Sequence, residues 1–93
     1  MKNPSEYHLS LFITGTSPNS VRAINNIKSI CEEHLNGNYE LEIIDVYQIP
    51  ERAQREQIIA LPTLIKRGPL PERRLVGDMS DKSKVLRGLG IYF

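Results

Sequence analysis

One thiol, two imidazoles and a pair of serines at the mouth of a helix are the groups in this chain that could do chemistry. Cys31 is the sole cysteine, which excludes an internal disulfide and any Cys-x-x-Cys redox or zinc arrangement. It falls among the apolar positions of a helical pattern, where a thiol acts as a small buried hydrophobe; a redox-sensing thiol is the alternative. His8 and His34 lie in different elements with no carboxylate or thiol at ligand spacing, so no metal site is expected. Asp45 stands near the carboxyl end of a strand, an edge that open α/β sheets often use, but nothing joins it into a catalytic set and a structural role is expected. No Gly-x-x-x-x-Gly-Lys loop is present to cradle a phosphate chain. The residues therefore predict no catalytic group, no cofactor and no metal.

Charge is the second resource. Lys66, Arg67, Arg73 and Arg74 fall on the two arms of one predicted hairpin, so a basic ridge across the strands would attract an acidic partner surface. The same charges would also serve as an edge that discourages strand-to-strand aggregation.

These groups need elements to position them. Tyr7 to Thr14 alternates, with Tyr7, Leu9, Leu11 and Ile13 on one side; Phe12 on the other predicts a strand covered on both faces. Ser17 can cap a helix opened by Pro18, whose missing N–H costs nothing at the first position. That helix runs to about Leu35, with Val21, Ile24, Ile27, Ile30, Cys31 and Leu35 on its apolar side, and Asn36-Gly37 as a left-handed stop. Lys28 and Glu32 are spaced to pair along it. Tyr39 to Val46 forms a second strand, with Tyr39, Leu41 and Ile43 facing one way and Ile44 and Val46 the other, and strand, helix, strand makes a right-handed parallel crossover. Pro50 opens a thinly apolar helix to Ile59. Pro62 divides the apolar run from Ala60 to Ile65 and bars helix at Leu61, and the Leu61-Pro62 bond is open to either isomer. Thr63 to Arg67 and Arg73 to Val76 form the hairpin. Asp78 or Ser80 can cap a last helix through Lys82, Val85 and Leu86, while Gly88 and Gly90 oppose its continuation and Ile91-Tyr92-Phe93 favours strand.

The totals fit one small domain over residues 1–93. Hydrophobic residues make up 40% and charged residues 25%, which is globular rather than disordered composition. A core this small gains from self-association, as dimer or tetramer, or from a partner. The net charge of +1 argues against a nucleic-acid partner, and the absence of a long apolar run argues against a membrane; a cytoplasmic protein is expected. The half up to Val46 is locally consistent, whereas the rest mixes helix and strand signals. Such conflict marks either the limit of periodicity or a chain with two competing packings.

The order βαβαββα, with Pro62-Thr63 entering the third strand and Ser17-Pro18-Asn19-Ser20 opening the first helix, resembles the thioredoxin-like fold. Ser17 and Ser20 take the places of that family's two cysteines, which removes the nucleophile for disulfide exchange. Thr16 to Ala23, Ile44-Asp45-Val46, Leu61-Pro62-Thr63-Leu64 and Arg73 to Ser80 together resemble the KaiB family over nearly the whole chain. That resemblance implies an α/β protein with two folds sharing an N-terminal βαβ unit. One is a tetrameric ground state, βαββααβ; the other is a thioredoxin-like monomer that binds a KaiC-type ATPase. The family rule leans to the ground state, while the local pattern up to residue 87 fits the thioredoxin-like form better. The resemblance further implies a switch that begins near Pro62 and is biased by Gly77 and Asp78, with partner contact through Arg22, Lys66, Arg73 and Arg74. Glu42 and Gln57 stand where clock members carry lysines, and the acidic C-terminal extension of those members is missing. A stress-response or signalling adaptor without KaiC is therefore a second reading. A glutathione enzyme using Ser17 at the helix N-terminus is a third.

Overall fold

The computed structural model describes residues 6–91. Its elements are β1 (Tyr7–Ile13), α1 (Pro18–His34), β2 (Tyr39–Asp45), α2 (Pro50–Arg55), β3 (Thr63–Gly68), β4 (Arg73–Val76) and α3 (Lys82–Leu89). The sheet order is β2-β1-β3-β4, with β1 parallel to β2 and antiparallel to β3, and β3 antiparallel to β4. This is the thioredoxin-like arrangement rather than the ground-state order that the family rule favoured.

Strand alternation splits the core in two. Tyr7, Leu9, Leu11, Ile13 and Leu64 meet Ala23, Ile27, Ile30 and Cys31 of α1 and Val85, Leu86 and Leu89 of α3. On the other face Phe12, Ile44 and Ile65 are covered by Ala53, Ile58 and Leu61. Phe12 thus has the second layer that its position in β1 required. Full burial of side chains such as Leu11 or Ile27 stabilises the fold by about 1.5–3 kcal/mol each.

Ser17 caps α1 by accepting from the Ser20 N–H at 3.3 Å, with Pro18 at the first turn, and Asn36 and Gly37 take the left-handed stop. Five expectations need correction. The buried line of α1 runs through Ser20, Ala23, Ile27 and Cys31, so Val21, a quarter-turn away, is 43% exposed. Tyr39 and Leu41 pack on the α1 face of β2 as expected, but Ile43 beyond them is exposed at this edge strand, while Ile44 is buried on the α2 face. Lys28 and Glu32 do not appear among the ion pairs of the described residues; α1 is tied instead by Glu33 to Lys82 at 2.6 Å. Helix α2 ends at Arg55, and Gln57 turns left-handed, so Ile58 and Ile59 leave the helix.

The fifth concerns α3. Its cap is Asp81, which accepts from the Lys84 N–H at 3.1 Å, and the helix passes through Gly88 to a left-handed Gly90. A Cβ at Gly88 would lie 2.6 Å from Leu75, so a residue costly to helix propensity is what lets α3 lie against β4. Ile91 packs on the core without forming a strand, and the strand expectation for Tyr92 and Phe93 lies outside the described residues. No helix of the described residues is long and apolar enough to cross a membrane.

Candidate interaction surface and switch segment

Three segments converge at one end of the sheet: the start of α1, the Leu61-Pro62 bond and the Gly77–Ser80 turn. The Leu61-Pro62 bond is cis, as are those at Pro69 and Pro71. Pro62 is buried, and its carbonyl accepts from the Gly77 N–H at 3.0 Å, which joins the entrance of β3 to the exit of β4. Gly77 has a φ of 119°, and the segment after it borders a cleft of about 220 Å³ with Asp81 and Lys84 on its rim. Pro62, Gly77 and Asp78 are therefore neighbours through the hairpin ladder.

Asp78 is held from α1. Arg22 donates from Nε to Asp78 Oδ2 at 3.2 Å and is itself braced by Asn19 Oδ1, while Asn26 Nδ2 donates to the Asp78 carbonyl at 2.9 Å. Asp78 Oδ1 accepts from the Ser80 N–H at 3.0 Å. The bonds from Ser80, followed by the Arg22 guanidinium, hold the Asp78 carboxyl below its usual range. Arg22 and Asp78 were expected in separate roles, one for a partner and one for a switch, but they form a single clasp.

The serine pair shows no sign of activation. Ser17 Oγ donates to Ser20 Oγ at 2.8 Å and approaches Thr14 Oγ1 at 3.2 Å, and among the described residues no histidine or carboxylate is in hydrogen-bond contact with it. Asp45 accepts from the Gly15 N–H at 3.2 Å and the Tyr47 N–H at 2.9 Å, which fixes the turns after β1 and β2. Cys31 is fully buried, and burial pushes its thiol up to about 11, which disfavours the thiolate that redox sensing would need. The described residues contain no group of three or more His, Cys, Asp or Glu able to hold a metal.

The four hairpin cations do not form one ridge. In the β3–β4 register Lys66 sits opposite Arg73 and Ile65 opposite Arg74. Alternation therefore puts Lys66 and Arg73 on the α3 face with Leu64, and Arg67 and Arg74 on the α2 face with Ile65. Arg74 Nη1 reaches the Gln57 carbonyl at 3.5 Å, which places it beside one of the two departures from the lysine pattern.

The other departure, Glu42, heads a network that residue patterning did not disclose. Arg52 donates to both Glu42 oxygens at 2.6 and 3.0 Å, and its guanidinium lies 6.0 Å from the Phe12 ring centroid. Ser10 donates to Glu42 at 3.0 Å and accepts from Arg67 Nε at 2.9 Å, and Arg67 reaches Glu56 in a forked contact. Arg52 holds the Glu42 carboxyl below its usual range, and Arg67 does the same for Glu56. The one available signal was Ser10, a polar residue in the middle of β1 that the fold buries, whereas the strand's other polar residue, His8, is exposed.

Residues 10–91 match the KaiB domain family. Curated proteins named "Circadian clock oscillator protein KaiB" from Synechococcus elongatus and from Prochlorococcus marinus subsp. pastoris are each 47% identical over 87 residues. The match covers 94% of this chain and 85% and 81% of theirs, respectively. Among solved structures, the N-terminal domain of Synechococcus elongatus SasA superimposes with a TM-score of 0.75 at 22% identity, covering 96% of this chain and 87% of that one. The thioredoxin Deadhead of Drosophila melanogaster gives 0.73 at 15% identity, with 92% and 80% covered, and both likenesses concern the fold alone. With the family match spanning nearly all the described residues and relatives at 47% identity over most of its length, the chain belongs to the KaiB family.

Proposed function

We propose that this chain is a non-enzymatic timing component, working as a single domain over residues 1–93, whose thioredoxin-like form docks on a KaiC-type ATPase. The observation that carries this reading is the Arg22–Asp78 clasp in a KaiB-family chain. It ties the opening of α1 to the turn after β4, so a partner that takes Arg22 away from Asp78 loosens the segment on which rearrangement of the second half would depend. Arg22 and Arg74 are the first contacts assigned to the acidic partner surface, with Arg73 at its margin and Lys66 behind it. Pro62, Gly77 and Asp78 form the hinge. Self-association as dimer or tetramer belongs to the alternative packing, and a gap of a few kcal/mol suffices to keep one packing minor.

A second reading is supported by Glu42. Its carboxylate is engaged by Arg52 and Ser10, at a position where clock members offer a lysine to the partner. A stress-response or signalling adaptor of the same fold, without KaiC, would use this altered surface.

Size-exclusion chromatography with and without a purified KaiC-type ATPase, alongside NMR of the free protein, tests both readings. Co-elution, with two slowly exchanging peak sets for residues 58–91 and one set for residues 7–46, supports the first. One peak set throughout without co-elution sinks it and leaves the adaptor.

A further inference from the structure

At the end of the sheet away from the Arg22–Asp78 clasp lies a cleft of about 250 Å³ between the β3–β4 connection and the last turn of α3. Tyr7, Lys66, Arg73, Arg87, Leu89 and Gly90 contribute to its wall. Lys66 is only 4% exposed. Its stem runs along the core face beside Leu64, and its ammonium would lie 3.9 Å from a Cβ built on Gly90, so the charged end opens into the cleft. A buried ammonium is costly unless something of opposite charge balances it. Here its neighbours make matters worse: Arg73 faces it across the hairpin, and Arg87 stands on the facing turn of α3.

Among the described residues, no carboxylate lines this cleft, and no ion pair includes Lys66, Arg73 or Arg87. The tyrosine hydroxyl is occupied, since Tyr7 Oη donates to the Leu89 carbonyl at 3.0 Å, but its oxygen can still accept. Elsewhere the chain pairs its inward cations: Arg67 has Glu56 and Arg52 has Glu42. Burial, with Arg73 beside it, lowers the affinity of Lys66 for its proton. Three convergent cations around a cavity too small for a drug-sized ligand form a receptor for a compact, multiply charged oxyanion.

We propose that Lys66, Arg73 and Arg87 bind a phosphoanhydride, the linked phosphates of pyrophosphate or of a nucleotide tail. The site lies at the end of the sheet away from Pro62 and shares Lys66 and Arg73 with the proposed docking surface, but its ligand is tested on the free protein and does not require docking. Its ligand would bridge the hairpin tip and the end of α3. Occupancy would then favour the packing in which those two elements face each other, because a ligand that binds one packing stabilises it by mass action.

Inorganic pyrophosphate and ATP, each titrated into the 15N-labelled protein at low ionic strength, test the proposal. Saturable amide shifts centred on Arg73, Gly88 and Gly90 are expected for pyrophosphate. Equal shifts from ATP identify nucleotide phosphates as an equivalent source, while shifts from pyrophosphate alone restrict the ligand to the free anion. Lys66→Met keeps the buried stem and is expected to weaken binding roughly tenfold or more, Arg87→Gln several-fold, and the exposed-site control Lys28→Gln not at all. No saturable shift, shifts centred elsewhere, or equal affinity in Lys66→Met and Lys28→Gln would overturn the assignment. Arg87→Gln is exposed and leaves the core intact, so a folding failure in Lys66→Met does not remove the test.

Discussion

Arg22 on α1 and Asp78 after β4 meet at 3.2 Å although 56 residues separate them in sequence. The contact is exposed, so its contribution to global stability is small. Its location gives it leverage: it spans the locally consistent half of the chain and the half with mixed signals. Arg22→Gln and Asp78→Asn are therefore expected to change little in thermal stability. Each should instead raise the minor share of the residue 58–91 peak sets in NMR by several-fold. An unchanged ratio in both variants would show that the clasp has no influence on the switch.

The α2 network predicts a pH dependence with a definite sign. The carboxyls of Glu42 and Glu56 are held low by Arg52 and Arg67, so their folded values lie below the unfolded ones. Such groups contribute stability that is present above the unfolded carboxylate range and is lost as pH falls through the folded values. The thermal midpoint should therefore fall on acidification below the ordinary glutamate range. Glu42→Gln with Glu56→Gln should flatten that fall, and an identical pH profile in the double variant would refute the assignment.

Much of this architecture was legible in the residues. Ser17 and Pro18 announced the start of α1, the Tyr7 to Ile13 alternation gave β1 its core face, and Phe12 required a second layer. Local pattern failed where tertiary contact chose among equals. Asp78, Ser80 and Asp81 are all chemically able caps, and Asp81 has the role because Asp78 is committed to Arg22 and to the Ser80 N–H. Helix α3 runs through Gly88 against propensity because Leu75 occupies the space a side chain would need. The Ser10–Arg67 contact joins residues 57 apart, beyond the reach of periodicity, and with it the network around Glu42 stayed hidden.

Two isoleucine and leucine positions flanking Pro62 should respond oppositely to truncation. Leu64 is fully buried between β1 and the helices, and Leu64→Ala is expected to cost about 2–5 kcal/mol from lost transfer energy and the cavity left behind. Ile59 is 97% exposed, so Ile59→Ala should stay within about 0.5 kcal/mol. Chemical denaturation of both variants checks the contrast. If partner docking uses this end of the sheet, Ile59→Ala will weaken association while leaving the denaturation midpoint in place.

Cys31 supplies the last prediction. Its side chain is fully buried against the core, and burial, with Glu32 adding to it, pushes the thiol up to about 11. Only the thiolate attacks a disulfide reagent, and the fraction ionised at neutral pH is then about one part in ten thousand. Access adds a second barrier, because the reagent must wait for an opening that exposes the inner face of α1. Labelling of the native protein by a disulfide reagent should therefore proceed orders of magnitude slower than in denaturant. With opening and closing fast relative to labelling, its rate should rise in proportion to both the population of opened molecules and the reagent concentration. Cys31→Ala removes the thiol with a small loss of volume and should leave any partner association unchanged. Fast, stoichiometric labelling of the native protein would instead place Cys31 on the surface of a populated alternative packing, and the same experiment repeated with the ATPase present would show whether docking closes it.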